Sequence, residues 1–164
     1  MKSRFAGFQP ARRDRLLQDS RHDPYQAKRK LPEPAVCPDC GAVFHGGRWQ
    51  WLTVSADAHK ACCPACQRQR ERMPAGYVSV SGDFFNSHRE ELLQLIQNEE
   101  KHAKIAGPLK RILDMTDENG GVLVTTTDIH LARTIGDALH RAYQGELEYH
   151  YNEQEHLLRV AWQR

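Results

Sequence analysis

Two C-x-x-C units, Cys37-Pro38-Asp39-Cys40-Gly41 and Cys63-Pro64-Ala65-Cys66, stand twenty-two residues apart in a chain with five cysteines. A tight turn across two intervening residues places two sulfurs on one side of an ion, and a second turn supplies the opposite edge of a tetrahedron. Gly41 lets the first turn double back and aim amides at sulfur. Four thiolates close the coordination sphere, so such a site is structural, with no open position for a nucleophile. The expected cofactor is one structural Zn2+ held by Cys37, Cys40, Cys63 and Cys66. Iron in a rubredoxin-like electron carrier is the chemical alternative, although only the first knuckle has a trailing glycine. A thioredoxin-like dithiol would need a βαβ setting that is absent around these cysteines. Cys62, the fifth thiol, could replace Cys63, but it reads better as a packed or partly exposed free thiol.

The elements that must hold these sulfurs fall into three zones. Residues 1–36 carry nine Lys/Arg against four Asp/Glu, with four prolines and few aliphatics, and predict a flexible or disordered basic arm. Residues 37–76 contain all five cysteines and are too few to fold on apolar burial alone, so they predict a metal-dependent module. Residues 77–164 predict an α+β domain in the order β-α-β-α-β-β. Its expected elements are a strand at 77–81, a helix from Ser87, and a short helical piece around Leu109, Ile112 and Leu113. A strand at 121–127, a helix capped by Asp128, and a closing hairpin with Leu147 and Trp162 on its two arms complete it.

Charge divides the chain as sharply as structure does. The arm sums to +5, the cysteine module to +2 and the last zone to −5. A cationic front half suggests a polyanion partner, or attraction between the two halves. Arg12, Arg13 and Arg15 form one cluster, Lys28, Arg29 and Lys30 a second, and Arg68, Arg70 and Arg72 a third, all candidates for RNA phosphate. Arg48, Trp49 and Trp51 could stack on unpaired bases; Trp51 reads rather as cover for the metal, and Trp49 as either. His22-Asp23-Pro24-Tyr25 in the arm reads as a docking segment.

Several classes are excluded or disfavoured. No apolar run approaches the ~20 residues that cross a bilayer, so no membrane partner is expected. The basic N-terminus lacks a secretory apolar core, which predicts a cytoplasmic protein with reduced thiols. No phosphate loop, His-Glu-x-x-His motif or nucleophile with a base occurs, and the chain is read as non-enzymatic.

Cys-Pro-x-Cys-Gly followed by Gly47-Arg48-Trp49, then a second Cys-Pro-x-Cys and an α+β domain, resembles the large-ribosomal-subunit export adaptor family. The similarity runs from about Cys37 to Arg164 and is closer to short, stand-alone bacterial relatives. The larger members carry more zinc knuckles and further domains, including export signals that a bacterial-type cytosol would not use. The resemblance implies a zinc module and association with the ribosome or structured RNA, in assembly, stress or dormancy; nuclear export does not carry over. The alternative is a protein-interaction adaptor whose α+β domain binds a protein partner.

Overall fold

The computed structural model describes Gln9, Pro10, Tyr25 and residues 30–164. Two strand pairs open the first sheet: β2 (Ala35–Val36) with β3 (Val43–His45), and β3 with β4 (Arg48–Gln50). β5 (His59–Lys60) lies parallel to β2, giving the order β4-β3-β2-β5. Helix α1 (Pro64–Glu71) follows.

The second sheet has six strands in the order β1-β9-β10-β6-β8-β7. Its members are β1 (Gln9–Pro10), β6 (Gly76–Ser81), β7 (Ile112–Glu118), β8 (Gly121–Thr126), β9 (Glu146–Asn152) and β10 (Leu157–Gln163). Neighbours are antiparallel except β10 and β6. α2 (Asp83–Ser87) and α3 (Arg89–Ala106) join β6 to β7, and α4 (Ile129–Tyr143) joins β8 to β9.

Period-two alternation decides which strand residues face the helices. Val78 and Val80, Val122 and Val124, and Leu158, Val160 and Trp162 share one buried face with Leu92 and Ile96 of α3 and Leu131, Ile135 and Leu139 of α4. Each such side chain taken fully from water contributes roughly 1.5–3 kcal/mol. Asp128 caps α4 as its sequence position predicts, accepting from the Leu131 amide at 2.9 Å. Gly76 has no room for a side chain: a Cβ there would lie 2.5 Å from Ala132 Cβ, so glycine sets how closely α4 approaches β6.

The α+β class and the closing hairpin are as expected, but two boundaries move. The stretch around Ile112 and Leu113 is the strand β7, not a short helix. Asn119 and Gly120 both have positive φ and make a two-residue turn that pairs Glu118 with Gly121. That dipeptide is a hairpin signal, and the backbone of β8 gives this segment a ladder partner that a single helical turn lacks. The cysteine module also begins before Cys37. Ala35 is fully buried within β2, and the Glu33 carboxylate accepts from the Gly46 and Gly47 amides, each at 3.0 Å. Much of the predicted arm, including Arg12, Arg13, Arg15, Lys28 and Arg29, lies outside the described residues.

Candidate metal centre

β2 delivers Cys37 into a turn closed by the Gly41 amide on Cys37 O at 2.9 Å, with Gly41 at φ 81°. The turn brings Cys40 back beside Cys37, and the Ala42 amide points at Cys40 Sγ at 3.5 Å. The second pair is built differently. Cys63 is the N-cap of α1, Pro64 opens the helix, and the Cys66 amide donates to Cys63 Sγ at 3.4 Å. The Cys63 amide in turn donates to Cys37 Sγ at 3.3 Å, joining the two units. The amides aimed at Cys37 favour its thiolate, whereas at Cys63 burial outweighs the Cys66 amide.

Sγ atoms of Cys37, Cys40, Cys63 and Cys66 all lie within 4.8 Å of one another. Cys40 and Cys63, from opposite units, are 3.7 Å apart. Metal–sulfur bonds of about 2.3 Å in a tetrahedron set sulfur–sulfur edges of about 3.8 Å, so the spacing fits a thiophilic divalent ion. It is too wide for a disulfide, whose sulfurs stand about 2.05 Å apart. These four cysteines can hold a metal ion.

Arg111 completes the site from the α+β domain. Its Nη1 donates to Cys66 Sγ at 3.2 Å and to Gln69 Oε1 at 3.0 Å, and its Nη2 to Cys63 Sγ at 3.7 Å. Nε donates to Pro108 O at 2.9 Å. The backbone of Arg111 is pinned by Thr127, whose Oγ1 accepts from the Arg111 amide and whose own amide donates to Arg111 O. Arg111 is 5% exposed, and a buried guanidinium needs hydrogen-bonding and anionic partners of this kind. Burial works against its charge, but the sulfurs outweigh that and raise its pKa.

The thiols divide by environment. Burial raises Cys37, but the amides of Cys63, Cys40 and Asp39 outweigh it and bring the thiol down to about 7. Burial raises Cys63 and Cys66, with Arg111 pulling Cys66 the other way. Burial pushes Cys62 up to about 11, reinforced by the neighbouring Cys37 charge. Cys62 packs at the edge of the cluster, its thiol toward Asp39 Oδ2 at 3.7 Å and Cys63 O at 3.6 Å.

The candidate RNA contacts do not form one set. Arg68 is 4% exposed, donates to Met73 O and covers the Tyr25 ring at 4.2 Å, so it is a packing residue of α1 and not a phosphate contact. Its alternation with Arg70 and Arg72 misleads because α1 turns every 3.6 residues and points them in different directions. Arg70 pairs with Asp39 at 2.6 Å. Arg72 ends α1 exposed, and Arg48 and Lys30 are also exposed. Tyr25 meets the same helix, its hydroxyl donating to Glu71 at 2.6 Å, while His22, Asp23 and Pro24 lie outside the described residues.

Trp49, read as either cover or stacking face, is the cover, and Trp51, expected to cover the metal, is the exposed one. Trp49 packs on Phe44 and against the cysteine cluster. Trp51 is 39% exposed, and its indole N–H donates to Lys104 O at the end of α3, 2.7 Å away. Residues 48–50 form β4, whose alternation turns Trp49 inward; Trp51 lies beyond the strand and escapes that constraint. Arg111 had no local signal, since it stands 45 residues from Cys66 and no cysteine or histidine adjoins it.

No protein family, curated protein or solved structure matches this chain. Among the described residues no helix is long and apolar enough to cross a membrane.

Proposed function

We propose that this is a non-catalytic, cytoplasmic protein whose structural Zn2+ holds a module that binds ribosomal or other structured RNA. The four-sulfur cluster supports the metal, and the helix-capping second pair favours zinc, because it departs from the matched turns of a rubredoxin-like site. The motif order from Cys37 to Cys66, with its resemblance to the export adaptor family, supports the ribosome as partner.

One observation carries the RNA reading. Trp51 is 39% exposed and its indole N–H is held by Lys104 O; Arg48, three positions earlier in the chain on β4, and Lys101 and Lys104 on α3 are exposed. A fixed aromatic face among cations is a stacking platform for an unpaired base beside phosphates. Fluorescence anisotropy with a labelled ribosomal RNA hairpin between ~50 and 200 mM salt tests it, with a log–log slope near ~0.7–0.9 per phosphate contact. Trp51→Ala should weaken binding by about 1–3 kcal/mol, the scale of one stacked base. A flat salt response leaves the protein-interaction adaptor as the better account.

A further inference from the structure

Cys62 Sγ, an Asp39 carboxylate oxygen and Cys37 Sγ also lie within 4.8 Å of one another, a second ligand group that shares Cys37 with the four-sulfur cluster. Cys37 is 1% exposed, whereas Asp39 is exposed and Cys62 partly so. Elsewhere in the cluster Cys63 is fully buried, Cys40 is partly buried, and the Arg111 guanidinium lies against Cys63 and Cys66. A dication approaching there meets a fixed positive charge; one approaching by Asp39 meets a carboxylate.

We infer that Cys37, Asp39 and Cys62 form an outer exchange site through which thiophilic divalent cations pass into and out of the folded metal centre. The inference rests on the metal reading above. Asp39, a hard oxygen donor, takes the hydrated cation first. Cys62 then binds as thiolate, releasing its proton to solvent. Cys37 is common to both groups, so it remains a ligand while Cys40, Cys63 and Cys66 take the places of Asp39 and Cys62. Arg70, whose Nη2 donates to Asp39 Oδ2, competes with the cation for that carboxylate.

The test starts from full-length, zinc-loaded, reduced protein. Cd2+ is added, and its displacement of zinc is followed by sulfur-to-cadmium absorption and by a chromogenic zinc chelator. Cys62→Ala and Asp39→Asn should each slow exchange by about tenfold, the scale at which losing a group beside a metal site is felt. Arg70→Ala should speed it. The final cadmium spectrum and stoichiometry should match the unsubstituted protein in all three. Unchanged rates in both Cys62→Ala and Asp39→Asn would overturn the exchange site. So would a changed final spectrum in Cys62→Ala, because Cys62 would then belong to the inner set. Isolated protein that holds neither zinc nor added Cd2+ would sink the metal reading itself, a separate failure.

Discussion

The Arg111 guanidinium lies 3.2 Å from Cys66 Sγ, across 45 residues of chain, and ties the metal module to the six-stranded sheet. Four thiolates around a dication leave two net negative charges, and a buried guanidinium offsets one of them. Arg111→Met should lower metal affinity by about 10–100-fold while leaving four-sulfur coordination intact. Arg111→Lys should recover only part, because an ammonium cannot span two sulfurs and Pro108 O at once. Competition with a chelator, read beside the charge-transfer spectrum, checks both. Unaltered affinity in Arg111→Met would remove Arg111 from the centre.

Removing the ion should unfold one part of the molecule and spare the other. The module's buried cluster is little more than Cys37, Ala42, Cys63, Ala65 and Cys66, whereas the α+β domain buries Trp162, Phe85, Leu92 and fourteen further residues in one core. Metal binding in such small modules is folding free energy. Chelation followed by hydrogen exchange should therefore strip protection from residues 35–72 and leave it on α4, β6 and β10. Full protection of the module after verified metal loss would contradict a metal-held fold.

Gly76→Ala should destabilise the α+β domain by about 1–3 kcal/mol, because the new methyl meets Thr126 Oγ1 on β8 and Ala132 Cβ on α4 with neither free to yield. Urea unfolding followed by far-ultraviolet circular dichroism measures it. The same change at Gly120, where no atom lies within 4 Å of a Cβ, tests strain at positive φ without crowding.

Glu33 should make the β3–β4 turn sensitive to acid. The amides of Gly47 and Gly46 hold its carboxyl below the ordinary carboxylate value. With the folded pKa depressed, the stabilisation is complete above the ordinary value and is lost as pH falls through the lowered one. Amide shifts of Gly46 and Gly47 should titrate together with a midpoint below 4.5. Glu33→Gln should abolish that titration; its persistence would assign the transition elsewhere.

How legible each feature was depends on how far its causes lie along the chain. The cysteine set could be read at once, because a C-x-x-C turn is made by its own residues and Gly41 sits where the turn needs positive φ. α4 was equally plain: Asp128 caps it, and Leu131, Ile135 and Leu139 repeat along one face. β7 was misread because Leu109, Ile112 and Leu113 mimic a helical face over one turn. The Asn119-Gly120 hairpin signal was present and outweighs that short pattern. Arg68 was misplaced because alternation in the chain is not alternation in space once α1 has formed.

Local spacing determined the candidate ligand set, the α+β class and most of the elements, because turns, caps and apolar periodicity act over a few residues. Tertiary structure decided which arginine is buried against sulfur, which tryptophan faces water, and that Cys62 and Asp39 flank the cluster. Those outcomes depend on contacts between segments tens of residues apart, where burial and charge pairing select partners that no nearby residue announces.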